Sequence, residues 1–492
     1  MDYSKIELTP NKSGSLYQKL VTQLENRIEK SELLPGDKLP SERRLATLLK
    51  VSRTTVVSAY RELEARGLLR SHIGQGTFVC ASGRETEAPF AWRGKVSVNA
   101  HVDNHYAFGA LTHHATNPNL ISFAEGTPAL ECFPIDEYTR LTQQVLRQKS
   151  ADVLGLAPTE GQPLLRKVIG LRNKISPNRL MILSGAQEGL DLISRCLLDP
   201  GDKIITDRPC YVGALQTFRA AGANIIGWDV TKADFDELED LILRYRPKFI
   251  YTNPTFQNPT GKVFTLKERR EFLKLAVKYR VPVFEDDPYS ETYLKSSAPP
   301  PSLYQLDTHN IVIYLHTFSK TLAPGLRLGW LAASEYIIDQ LTVIKQRKSL
   351  FTEGLGQLVL AELLMSNLFD AHLSNLRKAH DRKCRTMILA IEKYLPQGAL
   401  TFRNPEGGLY LWCRLKPDLK GRQFLQQAIS EGVLFRNGEM FYPDDAGSSN
   451  IRLCFTGPSI NKIEEGVQQL SKSLQIIDTG IIAPSVDSIP II

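Results

Sequence analysis

The sequence predicts an α/β protein in two parts, a small helical unit at the amino terminus followed by a large domain built on a mainly parallel sheet. Three observations carry that expectation. The first eighty residues show helical apolar spacing broken by turn residues, short apolar strands alternate with longer helical patterns beyond Leu120, and the periodicity fades in between. A chain of 492 residues allows about three domain-sized units. Its 42% hydrophobic and 23% charged residues are those of a soluble globular protein. No apolar run approaches the roughly 20 residues of a membrane helix, and the start Met1-Asp2-Tyr3-Ser4-Lys5 lacks a basic and then apolar signal region, so a cytoplasmic protein without membrane attachment is expected. Seven cysteines, at 80, 132, 196, 210, 384, 413 and 454, are scattered, which predicts reduced structural thiols and no metal site.

In the first unit, expected to span 1–80, Leu16, Leu20, Leu24 and Ile28 recur at helical spacing, so 15–31 reads as an amphipathic helix ended by Pro35 and Gly36. Pro40-Ser41-Glu42 starts a second helix reaching about Lys50, with Leu45, Ala46 and Leu49 facing inward. Ser52 caps a third, whose stripe Val56, Ala59, Tyr60 and Leu63 continues to Gly67. Two short helices with a tight turn between them leave the second free to present Ser52, Arg53, Thr54 and Thr55 to bases or phosphates, with Arg43 and Arg44 beside them. Leu68-Leu69 and the segment 73–79 read as short strands around a turn whose Gly74, Gln75, Gly76 and Thr77 suit a minor-groove wing. Residues 41–70 hold seven Arg and Lys against three Glu, so +4 of the total +7 falls in this one segment. A docking or dimerisation domain with solvated arginines accounts for the same pattern.

From Cys80 to about Asn119 the interruptions Gly83, Glu85, Thr86, Glu87, Ala88 and Pro89 suggest a linker, with Phe90, Trp92, Tyr106 and Phe108 as docking points along an arm. The body follows, with strands expected at 180–184, 203–206, 249–252, 283–285 and 311–315 and helices at 187–198 and 265–279. In such sheets ligands bind at strand ends and helix starts. The turn Ser184-Gly185-Ala186-Gln187 offers amides to a phosphate. Further residues converge on what a pyridoxal 5′-phosphate site needs. Lys320 supplies the amine and Asp286 an anion for the pyridine nitrogen. Asn258 and Tyr289 suit the phenolic oxygen, Tyr211 the ring face, and Ser184, Ala186, Gln187, Ser319 and Arg327 the phosphate. Taken singly, Lys320 and Arg327 are equally read as surface charges and Asp286 as a turn cap. Residues 476–492 lack a clear period and read as a tail.

The blocks Leu39-Pro40-Ser41-Glu42-Arg43, Val51 to Val56, Tyr60 to Gly67 and Gly74 to Val79 resemble the winged helix-turn-helix domain of GntR-type regulators. That resemblance implies DNA contacts by Arg43, Arg53 and the region 74–76. Residues 120–475 resemble fold type I aminotransferases at 123–128, 155–166, 184–187, Asn258-Pro259-Thr260-Gly261, Asp286-Asp287-Pro288-Tyr289, Ser319-Lys320 with Arg327, Gly407-Gly408 and 452–455. It implies Lys320 as the internal-aldimine lysine, Asp286 as the nitrogen's partner and Arg452 as a ligand-carboxylate clamp, for which an interdomain salt bridge is the competing role. A large subdomain at about 120–361 and a small one at about 362–475 are expected. As a whole the chain resembles the MocR/GabR-type GntR regulators, which implies a homodimer, double-stranded operator DNA as one partner, and an amino acid or small amine sensed by external-aldimine formation. Exchange of amino-terminal domains between subunits stays open, as does an active aminotransferase carrying a fused DNA-binding domain.

Overall fold

A computed structural model describes residues 15–29, 33, 37–72, 76–79, 120–294, 298–444 and 446–479. The chain divides into two compact units near residue 108. The expected arm residues Phe90, Trp92, Tyr106 and Phe108, the wing-turn residues Gly74 and Gln75, and the end of the tail lie outside the described residues.

The amino-terminal unit consists of α1 (Leu16–Glu29), α2 (Glu42–Leu49), α3 (Arg53–Ala65) and an antiparallel hairpin of β1 (Leu69–His72) and β2 (Gly76–Val79). Leu20, Leu24 and Ile28 of α1 pack with Leu45, Val56, Ala59, Leu63, Leu69 and Val79 in one core, so the periodic residues of every element meet. Ser41 and Ser52 are the caps of α2 and α3, accepting the N–H groups of Arg44 and Thr55 at 3.4 and 3.1 Å. The tight turn closes because Lys50 takes a left-handed φ of 52° and the Tyr60 hydroxyl ties α3 to the Pro40 carbonyl at 2.8 Å. Ser52→Ala leaves the Thr55 amide without its cap and is expected to destabilise α3 by about 1 kcal/mol, seen as faster amide hydrogen exchange confined to that helix and its neighbours.

The large unit adds β3 (Ile121–Ser122), β4 (Leu180–Leu183), β5 (Lys203–Arg208), β6 (Asn224–Asp229), β7 (Ile250–Thr252), β8 (Val283–Asp286), β9 (Val312–Thr317), β10 (Gly329–Ala332), β11 (Leu400–Phe402), β12 (Tyr410–Leu415), β13 (Val433–Leu434), β14 (Arg436–Asn437) and β15 (Asn450–Cys454). Seven of these form a sheet in the order β4-β10-β9-β8-β7-β5-β6, parallel except for β10. The buried runs of β4, β7, β8 and β9 are covered on both faces, as parallel strands require. The order brings the carboxyl ends of β4, β5, β7, β8 and β9 to one edge, where the expected cofactor residues gather.

The smaller lobe carries an antiparallel sheet β11-β12-β15-β14 packed with helices Leu368–Tyr394, Gly421–Ser430 and Ile460–Asp478. Two boundaries differ from the sequence expectation. Residues 121–123, assigned to the large lobe, pair with the small one: β3 runs parallel to β13, and the Phe123 carbonyl accepts the Cys454 N–H at 2.7 Å. The last helix continues through Ile476 and Ile477 to Asp478, into the stretch read as a tail, because Val467, Leu470 and Leu474 anchor its buried face.

Candidate functional site

Asp286 ends β8 with its carboxylate buried at the sheet edge. The Tyr251 hydroxyl, on neighbouring β7, donates to its Oδ2 at 2.6 Å, while Oδ1 is buried without a hydrogen-bond partner among the described residues. Burial pushes this carboxyl up to about 7, a rise that the Tyr251 bond opposes. A buried, half-satisfied carboxylate is poised to accept a cationic N–H. The adjacent Asp287 is turned elsewhere: it accepts the Tyr314 hydroxyl at 2.9 Å and the Ser290 N–H at 3.1 Å. Its two oxygens are engaged, which favours Asp286 for a cofactor's nitrogen. His316, behind this pair, bonds the Asp287 carbonyl at 2.7 Å through Nδ1 and lies 3.7 Å from Glu291. Burial lowers its proton affinity but Glu291 and Asp287 more than compensate, so its pKa is raised.

Across the site, the Asn258 amide donates to the Tyr289 hydroxyl at 3.2 Å, and its Oδ1 accepts Arg452 Nη1 at 2.9 Å. Arg452 is buried; its Nη2 donates to the Ala124 carbonyl at 2.6 Å and its guanidinium lies 3.9 Å from the Tyr410 ring centre. Its Nε has no partner among the described residues. Lys320, half-buried just after β9, donates to the Gly126 carbonyl at 2.8 Å. Gly126 must be glycine here, since a Cβ would fall 1.8 Å from the Tyr410 hydroxyl. The amine and the guanidinium thus meet two carbonyls of one tripeptide.

A third corner suits a phosphate. Gly185, at φ 87°, is the N-cap of the helix Ala186–Leu197, which starts just after β4 without a side-chain cap. Arg327, held at φ 51°, brings its Nη2 to the Ser184 carbonyl at 3.0 Å, and a Cβ on Gly185 would sit 2.8 Å from that nitrogen. Ser319 is buried with its hydroxyl 3.0 Å from Thr317 Oγ1. The Ser184 N–H donates to Glu188 at 2.7 Å and the Gln187 side-chain amide to Thr217 at 2.7 Å. Tyr211 stands at the N-cap position of the next helix without a side-chain cap bond, and burial first, then Asp286, raise its phenol. The site fits pyridoxal 5′-phosphate on three observations: the unpartnered Asp286 oxygen, the glycine-lined cradle beside Arg327, and Lys320 between them.

Sequence reasoning missed Tyr251, Asn253, His316, Tyr410 and Asp207. Asn253 bonds the Asp286 carbonyl, and the buried Asp207 accepts the Asn253 N–H at 2.9 Å, burial raising its carboxyl to about 6. The Asn253 position, preceding a proline after an apolar strand, was the one signal that pointed to any of them.

In the amino-terminal unit Arg43, Arg44, Ser52, Arg53 and Thr54 are exposed, and Arg53 pairs with Glu42 at 3.0 Å in water, a contact of little stability value. Thr55 bonds Ser52 at 2.8 Å, and Thr77 meets Ser71 across the hairpin at 2.8 Å, with Gly76 beside it. Among the described residues no helix is long and apolar enough to cross a membrane.

Residues 118–470 match the model of the aminotransferase class I and II family, and residues 16–79 that of bacterial regulatory proteins of the gntR family. The chain is 30% identical over 468 residues to an uncharacterized HTH-type transcriptional regulator, YisV, of Bacillus subtilis (strain 168), covering 93% of this chain and 96% of that one. It is 26% identical over 471 residues to the probable rhizopine catabolism regulatory protein MocR of Rhizobium meliloti, covering 94% and 95%. A solved structure of LysN, an alpha-aminoadipate aminotransferase from Thermus thermophilus complexed with N-(5′-phosphopyridoxyl)-L-leucine, matches with a TM-score of 0.75 and 31% identity over 80% of this chain and 100% of that one. With one family model over its body, another over its first unit and a relative similar almost from end to end, the chain belongs to the MocR-type GntR regulators, in which a gntR-type DNA-binding domain is fused to an aminotransferase class I and II domain.

Proposed function

We propose that this regulator is a cytoplasmic homodimer that binds double-stranded operator DNA through its amino-terminal unit and senses an amino acid or small amine at a pyridoxal phosphate site. The observation that carries this reading is the convergence of Lys320 and Arg452 on the carbonyls of Gly126 and Ala124, in a chain that also presents Arg43, Arg44 and Arg53 on a helix-turn-helix.

When bound, the cofactor supplies a carbonyl carbon at which one amine can replace another. Lys320 holds its amine for that exchange. Arg452 offers two N–H groups to a carboxylate once the Ala124 carbonyl gives way, while Asn258 steadies one edge of the guanidinium and Tyr410 covers its face. Asp286 neutralises positive charge at its free oxygen. Ala124 and Gly126 come just after β3, which is paired to the small lobe. A ligand that takes their place at Arg452 and Lys320 changes what holds residues 124 and 126, and in this reading that change is what alters DNA affinity.

The test is a titration of the purified holoprotein with amino acids and simple amines, following absorbance, keto acid formation and affinity for DNA upstream of its own and neighbouring genes. A spectral change coupled to altered DNA affinity without turnover supports the sensor. Keto acid formation with unchanged DNA affinity supports the second reading, an active aminotransferase, which the completeness of the Lys320, Asp286 and Asn258 set favours.

Arg452→Gln is expected to weaken binding of an α-amino acid by about 2 kcal/mol or more, on the order of thirtyfold. The corresponding simple amine, having no carboxylate, should lose little. Equal losses for both would make Arg452 a structural residue only.

A further inference from the structure

Between the two carbonyls that touch Arg452 and Lys320 lies Glu125, whose carboxylate makes a 2.6 Å ion pair with Arg436. The pair is asymmetric: the Arg436 side chain is 2% exposed and that of Glu125 31% exposed. Arg436 stands on β14 directly opposite Arg452 on β15, so two buried guanidiniums are neighbours. One of them has Glu125 as its counter-charge, and the other meets the neutral oxygens of Asn258 and Ala124. Burial lowers the proton affinity of Arg436, Glu125 raises it and the neighbouring Arg452 lowers it again.

This arrangement has a sign. A ligand's α-carboxylate supplies the anion that Arg452 lacks. A second ligand carboxylate would then arrive beside Glu125, whose partner is already paired, and would meet repulsion. A second ligand cation would meet the partly exposed side of Glu125 while Oε1 keeps its bond to Arg436. We propose that Glu125, held by Arg436, is a specificity-determining residue that selects amino acids with a second, cationic group on the side chain and disfavours amino dicarboxylates. This rests on the reading of Lys320 and Arg452 as the anchors of an amino acid ligand.

The experiment titrates the full-length holoprotein with ornithine, norvaline and glutamate, matched in chain length, following absorbance and, independently, the shift in thermal unfolding. Ornithine is expected to bind about tenfold tighter than norvaline, and glutamate more weakly than either. Glu125→Gln, which keeps a hydrogen-bonding group toward Arg436, should bring the three within about threefold. If glutamate binds as tightly as ornithine, or if the variant preserves the wild-type ranking, the selection by Glu125 is overturned while the sensor reading stands. If none of the three changes the spectrum or the unfolding temperature, the selection by Glu125 is overturned, and the sensor reading is decided separately by the wider titration with amino acids and simple amines.

Discussion

Lys320→Ala is expected to give a folded protein without the absorbance of lysine-bound cofactor, whose DNA affinity no longer responds to any amine or amino acid. The structural cost is small. Lys320 is half-buried, and its described hydrogen bond runs to the Gly126 carbonyl, which water can satisfy in its place, so the change removes roughly 1 kcal/mol of hydrogen bonding. The functional cost is complete, because the other buried lysines among the described residues are committed elsewhere: Lys345 donates to Thr352 at 2.8 Å and the Ile182 carbonyl, and Lys383 to the Thr456 carbonyl at 2.8 Å and Glu131. Arg327 and the helix starting at Ala186 remain, so the variant should still hold the cofactor weakly and reversibly through its phosphate. That separates two roles for the site. If the variant's DNA affinity still shifts with ligand by the wild-type factor, exchange at Lys320 is not the switch and non-covalent occupancy is. If the response disappears while circular dichroism and basal DNA binding are unchanged, the lysine is the point at which ligand chemistry reaches the DNA-binding unit.

What could be read in advance was local. Ser41 and Ser52 announce their helices because a cap acts on amides two or three residues away. The strand that ends in Asp286 and the one that precedes Lys320 were legible because buried parallel strands are short apolar runs. What escaped depends on which strand lies beside which. Tyr251 reaches Asp286 because β7 is paired with β8, and the ion pair of Glu125 with Arg436 joins residues 311 positions apart through the threading of β3 onto the small lobe. Neither contact has a spacing that a sequence can display. Asp286 and Asp287 show the same divide: the sequence offers two adjacent acids, and only the positions of Tyr314 and Ser290 reveal that the second is already engaged.

Asp286→Asn is expected to flatten the fall of stability with rising pH and to remove most of the gain from cofactor. In the cofactor-free chain the folded-state carboxyl titrates at about 7 against an ordinary 3.8. Between those values the folded protein binds the proton more tightly than the unfolded chain. Stability is therefore full at low pH and falls as pH rises from about 4 to 7, by up to about 4 kcal/mol. Asparagine cannot ionise, so the cofactor-free variant should lose the Asp286 share of that slope, keep the shares of Asp207 and Glu285, which burial raises to about 6 and about 8, and unfold at a higher temperature than wild type near pH 8. Cofactor inverts the comparison. A protonated pyridine nitrogen at the free oxygen of Asp286 gives the carboxylate a partner, which stabilises the charged form that burial had opposed. Wild type should then gain more on cofactor addition at pH 8 than the variant does, and the two unfolding curves should change order. Thermal unfolding from pH 5 to 8.5, with and without pyridoxal phosphate, measures both effects. Should the cofactor-free variant keep the full wild-type slope between pH 5 and 7, that slope belongs to Asp207 and Glu285 alone, and Asp286 is not the group that the cofactor neutralises.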